Sequence, residues 1–307
     1  MNEIASVDLR RPLEELAQEL GTSFAEFGFA IVREHGIPQD LIDRVDKLQR
    51  ALFALPTETK LAYRVPGGGG ARGYTPFGIE TAKGAAIHDL KEFWHVGRTL
   101  PPGHPLSDTM AANVWPAELP EFRATMEELY RAFEAAGDRV LRAIALHLDL
   151  PEDYFVATVA DGNSVMRLLH YPPLPADAPE GAVRAAAHGD INTITLLLGA
   201  EEAGLELLTR RGEWLPVDPP PGALVVNIGD MLDRLTNSRL RSTTHRVVNP
   251  AGEAARRARY SMPFFLHFRP DFLIEPLASC IAPGETAPPP ITAHEFLQQR
   301  LREIRLA

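Results

Sequence analysis

The sequence predicts a β-barrel or double-sheet jelly roll preceded by a largely helical layer. Three observations carry that expectation. Up to Leu150, apolar residues recur mainly at helical spacing; beyond it, short β-type runs follow one another; and the Gly, Pro and charged turns between those runs leave no room for crossover helices. Many short strands at that spacing suit an antiparallel barrel or sandwich, not a doubly wound parallel sheet.

Leu13, Leu16, Ala17, Leu20, Phe24 and Phe27 form one helical stripe behind Pro12, whose fixed φ and missing N–H suit a first turn. "GFAIV" then reads as a short strand, "REHGIP" as a turn, and "QDLIDRVDKLQRALFAL" as a second amphipathic helix stopped by Pro56. Gly67 to Gly70 lack the Gly-Lys-Ser/Thr ending of a phosphate loop and are expected to form a mobile surface loop. From Glu121 to Leu150, Phe122, Met126, Leu129, Phe133, Val140, Leu141, Ile144 and Leu148 make a long helical stripe that ends before Pro151. The β-type runs are "SVMRLLHYP", "TITLLL", "GLELLT", "EWLPVD", "ALVVNIGD", "THRVVN" and "RYSMPFFLHF". A last helix opens at Thr292, with Glu295 completing a capping box and Phe296 and Leu297 directed inward. There is no internal repeat.

The 307 residues suffice for a full hydrophobic core, and 45% hydrophobic with 23% charged residues is an ordinary globular balance. The single cysteine, Cys280, excludes an internal disulfide and a Cys-rich zinc site, which fits a reducing cytoplasm. The charged N-terminus has no signal-peptide core, and no stretch reaches the roughly 18 apolar residues that span a bilayer. Lys plus Arg number 31 against 41 Asp plus Glu, a balance of −10 that repels phosphate backbones. The basic runs "TRRGEW" and "EAARRARY" are too short to reverse it. A cytoplasmic protein that binds neither membrane nor nucleic acid is therefore expected.

The candidate chemistry begins in "AAAHGDINTITLLL", residues 185–198. In a strand, residues two apart point the same way, so His188 and Asp190 can converge on one ion. His147 and Asp149 have the same spacing near the end of the long helix, about 200° apart around its axis, and are expected to be a surface pair. Of the remaining histidines, His245 stands out because "STTHRVVN" is itself a strand. Two imidazoles and a carboxylate with open positions is the facial triad of non-haem Fe(II). Spacing alone leaves open that each histidine only hydrogen-bonds in the core.

With the motifs taken in order, the sequence resembles the isopenicillin N synthase-like branch of the Fe(II)/2-oxoglutarate-dependent oxygenases. "FGFAIVREHGIP", "FALPTETKLAY", "RGYTPFGIETAKG" and "DLKEFWHVG" carry the resemblance in the N-terminal part. "HGD", "GLELLTRRGEWLPVDPPPGALVVNIGDML", "STTHRVV" and "RYSMPFF" carry it in the catalytic part. Single pieces are weak; the ordered set is specific. It implies a fold that is mainly β with α, a double-stranded β-helix (jelly roll) flanked by helices, with an N-terminal α/β part. The implied organisation is an N-terminal region over 1–120, a linking helix over 121–160, the jelly-roll core over 161–270, and a C-terminal extension with a helix over 271–307.

The resemblance implies His188, Asp190 and His245 as iron ligands. It implies Arg259 and Ser261, in "RYS", as anchors for the distal carboxylate of 2-oxoglutarate, with Tyr171 a third donor. A guanidinium suits that task because it can form two parallel charge-assisted bonds to a carboxylate. Leu169 stands where many members have Asn, a departure that puts plant-type substrate assignments in doubt. The implied reaction couples O2 and the oxidative decarboxylation of 2-oxoglutarate, releasing succinate and CO2, to oxidation, chiefly hydroxylation, of a small metabolite. Expected pocket-lining residues are Tyr74, Phe77, Lys91, Phe93, His95 and Phe265. The alternatives are an oxidase that uses no 2-oxoglutarate, an enzyme that fragments 2-oxoglutarate to ethylene, and a non-catalytic jelly-roll binding protein.

Overall fold

The computed structural model describes residues 3–66, 71–79, 88–174, 182–199 and 204–303. The loop expected at Gly67 to Gly70 lies outside them. In the N-terminal half, β1 (Ser6–Asp8) precedes α1 (Leu13–Phe27), β2 (Phe29–Arg33), α2 (Gln39–Ala54), α3 (Thr57–Leu61), β3 (Gly73–Thr75) and β4 (Glu92–Gly97). α1 buries Leu16, Ala17, Leu20 and Phe24 of the predicted stripe, leaves Leu13 and Phe27 half-buried, and ends at Gly28. Gly28 is left-handed (φ 71°), and a Cβ there would overlap the Arg241 carbonyl, so both backbone and space demand glycine.

The long helix α4 (Phe122–His147) stops short of the expected Leu150, because Asp149 turns left-handed at φ 58°. After α5 (Val156–Val159) come β5 (Val165–Tyr171), β6 (Ala185–His188), β7 (Ile194–Leu198), β8 (Leu205–Leu208), β9 (Trp214–Pro216) and β10 (Leu224–Ile228). α6 (Asp230–Leu235), β11 (His245–Val247), β12 (Arg259–Leu266), β13 (Leu273–Ile274), β14 (Ile291–Thr292) and α7 (Ala293–Glu303) complete the chain. Each β-type run read from the sequence contains a strand. The capping box is formed: Glu295 N–H donates to Thr292 Oγ1 at 3.2 Å, and Thr292 N–H to Glu295 Oε2 at 3.2 Å.

Among the described residues, eight strands make the major sheet, in the order β1-β2-β10-β7-β12-β5-β4-β3, and four make the minor sheet, β6-β11-β8-β9. The N-terminal half thus supplies four strands at the two edges of the major sheet, more than its helical patterning suggests. Pleating gives that sheet two unlike faces. Trp94, Leu168, Leu196, Val226 and Phe264 join the main core with the helices, where Phe264 stacks on Phe133 of α4 at 5.2 Å between ring centres. Phe29 and Val225, on the other face, pack with Ala185, Leu205, Leu207 and Val247 of the minor sheet. That second cluster is the inside of a jelly roll.

Candidate metal centre

His188 ends β6 and His245 begins β11, and the two are direct partners in the antiparallel β6–β11 ladder. Pairing places their rings 4.4 Å apart, centre to centre. Asp190 is not in a strand; the strand-alternation argument fails for it. It lies in the turn between β6 and β7, where Asp230 N–H donates to its carbonyl at 2.7 Å. The turn, not a pleat, returns its carboxylate to within 4.0 Å of His188 Nε2 and 3.9 Å of His245 Nε2. One ligand atom from each of the three residues lies within 4.8 Å of the others, a set that could hold one divalent cation.

The surrounding hydrogen bonds aim these atoms. His188 Nδ1 lies 2.7 Å from the Ala186 carbonyl, and His245 Nδ1 lies 3.1 Å from that of Thr243. A carbonyl only accepts, so each Nδ1 carries the proton and each Nε2 keeps a lone pair for a metal. Burial and the neighbouring His245 push the His188 imidazole down to about 4, leaving it neutral at physiological pH. Burial opposes ionisation of Asp190, but the two imidazoles and the donors on Oδ2 outweigh it and hold the carboxyl below its usual range. Those donors are Thr195 Oγ1 at 2.6 Å and Asn227 Nδ2 at 2.8 Å.

Farther along the inner face, Arg259 stands opposite Tyr171 and Ser261 opposite Leu169 in the β12–β5 ladder. Arg259 is only 1% exposed, yet its Nε and Nη1 find no hydrogen-bond partner among the described residues. A buried cation with unused donors is costly unless a ligand completes it, and a carboxylate matches this fork. Leu169 packs with Phe93 and Tyr171, so an apolar wall stands where an amide was the family expectation.

The expected lining residues divide. Phe93, His95 and Phe265 are on the inner face, where the Arg167 guanidinium lies 4.2 Å from the Phe93 ring centre and 5.2 Å from that of Phe265. Lys91 is ion-paired to Asp89 at 2.8 Å. Phe77 is largely outside, edge-on to His88. Tyr74 is a correction: it pairs with Trp94 and so faces the helices, where its hydroxyl donates to buried Glu92. His147, expected at the surface with Asp149, is half-buried against Gly21, while Asp149 is exposed beyond the helix end. Thr195 and Asn227 were missed, although each is a polar residue inside an apolar strand, in "TITLLL" and "ALVVNIGD".

Two family models match the chain: that of the non-haem dioxygenase in morphine synthesis N-terminal region over residues 4–118, and that of the 2OG-Fe(II) oxygenase superfamily over residues 162–268. The 2-oxoglutarate-Fe(II) type oxidoreductase hxnY of Emericella nidulans is 37% identical over 294 residues, which is 92% of this chain and 83% of that protein. A 2OG-Fe(II) oxygenase family protein from Caulobacter crescentus superposes with a TM-score of 0.91 at 56% identity, covering 99% of this chain and 100% of the other. A Neurospora crassa protein solved with alpha-KG and thymine superposes with a TM-score of 0.87 at 30% identity, covering 97% and 96%.

Proposed function

The chain belongs to the 2OG-Fe(II) oxygenase superfamily, and from that premise we propose that His188, Asp190 and His245 hold its Fe(II), while Arg259, Ser261 and Tyr171 hold the distal carboxylate of 2-oxoglutarate. The protein is a non-haem oxygenase that uses Fe(II), 2-oxoglutarate and O2 to oxidise a small molecule. Hydroxylation with release of succinate and CO2 is the reaction we assign to it. We also assign the enzyme's domains as first read: the N-terminal region over 1–120, the linking region over 121–160, whose long helix ends at His147, the jelly-roll core over 161–270 and the extension over 271–307.

The observation that carries the site assignment is the pairing of two unmet needs: three ligand atoms clustered with their lone pairs free, and a buried guanidinium with donors unused. Bound at this triad, iron supplies the activation of O2 that is coupled to decarboxylation of the oxo acid. The chain's own residues do the rest. The Ala186 and Thr243 carbonyls lock the tautomers of the two imidazoles. Thr195 and Asn227 occupy Asp190 Oδ2 and steady its carboxylate. Phe93 and Leu169 keep water from the Arg259 end, which strengthens a charge-assisted bond there. Among the described residues no helix is long and apolar enough to cross a membrane, and buried, unpaired Cys280 suits a cytoplasmic setting.

The test is anaerobic addition of Fe(II) and 2-oxoglutarate to the purified protein, followed through the weak visible absorption of the chelate. The parent should develop the band and His188→Ala should not. A band of equal strength in His188→Ala would overturn the ligand assignment.

A further inference from the structure

The inner face of the major sheet carries a second cationic group, separate from Arg259. Arg72 immediately precedes β3 and is 2% exposed. Its Nε donates to the Ala111 carbonyl at 3.0 Å and its Nη1 to that of Ala71 at 2.7 Å. Its Nη2 has no hydrogen-bond partner among the described residues. A Cβ built on Gly97 would overlap that nitrogen and the guanidinium carbon, so the guanidinium rests on Gly97. Gly97 shares its sheet face with Phe93 and His95, two and four residues earlier in β4. The unused donor therefore lies against the end of β4, on the face that Gly97 shares with Phe93 and His95.

The neighbours are suited to an anion. Arg167 pairs with His95 across the β4–β5 ladder and donates its Nε to His95 Nε2 at 2.6 Å, with Phe93 and Phe265 against its guanidinium. Because Nε2 accepts, His95 is neutral there. Burial is the largest influence on Arg72 and disfavours its charge. Phe265, opposite Thr195 in the β12–β7 ladder, ties this face of the sheet to the metal end, since Thr195 donates to Asp190. Arg259 begins β12, six residues before Phe265, roughly 20 Å away at strand rise.

We propose that Arg72 forms an anion-binding subsite for the primary substrate, so that the enzyme oxidises a small carboxylic acid held by its carboxylate. This rests on the metal and 2-oxoglutarate assignment above, and it assigns the unused Arg72 donor to the molecule that is oxidised. Gly97 has a role in it: any side chain there would displace the guanidinium.

The test uses matched pairs, hexanoate, phenylacetate, cyclohexanecarboxylate and L-proline, each against its own carboxamide. Each is titrated calorimetrically into the whole protein loaded with Mn(II) and 2-oxoglutarate without oxygen. At least one acid should bind about tenfold to a hundredfold more tightly than its amide, the range for a hydrogen bond to a charged group. Arg72→Gln should abolish that gap while leaving Mn(II) and 2-oxoglutarate affinity unchanged, and Arg72→Lys should keep part of it. Parity of every acid with its amide on the unaltered protein overturns the inference, whether or not the variant folds; so does a gap that survives in Arg72→Gln. Failure of the unaltered protein to bind Mn(II) or 2-oxoglutarate would overturn the metal-centre reading and this inference with it, a result distinct from parity on a protein that binds both.

Discussion

Arg259 faces Tyr171 directly across the β12–β5 ladder, with its guanidinium carbon 5.3 Å from the centre of the tyrosine ring. The ring stands beside the cation, and its hydroxyl is the further donor proposed for 2-oxoglutarate. Arg259→Ala should bind metal normally but lose about 3–5 kcal/mol of 2-oxoglutarate affinity, the range for halving a buried ion pair. Tyr171→Phe keeps the ring and should lose about 1.5–3 kcal/mol, the value of one hydrogen bond to a charged group. Anaerobic titration of 2-oxoglutarate into the Fe(II) protein measures both; parent-like affinity in Tyr171→Phe removes the hydroxyl from the site.

Thr195 and Asn227 both donate to the same oxygen of Asp190. Loss of such a supporting bond typically weakens metal binding about tenfold to a hundredfold. Thr195→Val, nearly equal in volume, should show that loss in a Mn(II) titration without a comparable fall in thermal stability. Unchanged Mn(II) affinity would mean that Asp190 is held by its turn alone.

His267 is 7% exposed, and burial pushes its imidazole from 6.5 down to about 4. A depressed folded value means that the unfolded chain takes up the proton first as pH falls. Stability from this group is therefore full above pH 6.5 and is lost as pH falls toward 4. By pH 5 the loss should be on the order of 2 kcal/mol. Urea unfolding of metal-free protein at pH 7 and at pH 5 should show a smaller difference in His267→Gln than in the parent; equal differences would place the acid sensitivity elsewhere.

On the helix side of the major sheet, buried Lys60 and Glu92 pair at 2.8 Å, and Glu92 also accepts from His170 and Tyr74. Removing one partner leaves the other charged and buried, so Glu92→Gln should cost about 3–5 kcal/mol in urea unfolding. The Lys60→Met, Glu92→Leu double variant should cost less than Glu92→Gln alone. A cost below about 1 kcal/mol for Glu92→Gln would class the pair with exposed salt bridges.

Gly21 lies in α1 where the His147 ring of α4 crosses it. Helix propensity favours Ala over Gly by about 1 kcal/mol. Overpacking a filled contact costs about 1–3 kcal/mol. The contact should win, and Gly21→Ala should lower the melting temperature; a rise would show that the His147 ring can swing aside.

Helix stripes and caps were legible because they depend on residues three and four apart, and α1 and the Thr292 capping box stand where the local pattern places them. The candidate ligand cluster was legible for another reason. His188, Asp190 and His245 are chemically exceptional in their surroundings, and they recur in one ordered set of motifs across the chain.

Which way a strand residue faces was not legible wherever non-local pairing decides it. Tyr74 turns outward because its strand pairs with β4 in the register that sets it against Trp94, and a shift of one residue would have turned it inward. Asp190 meets His188 through a turn closed by the Asp230 N–H, and His245 joins them only because β11 docks on β6. Arg72 reads in the sequence as one more arginine before a glycine; only the approach of Gly97 gives its guanidinium a bed inside the barrel. Residue chemistry is a property of the chain at each position, whereas convergence on one point in space depends on ladders between segments far apart in sequence, and their register is decided by packing of the whole domain.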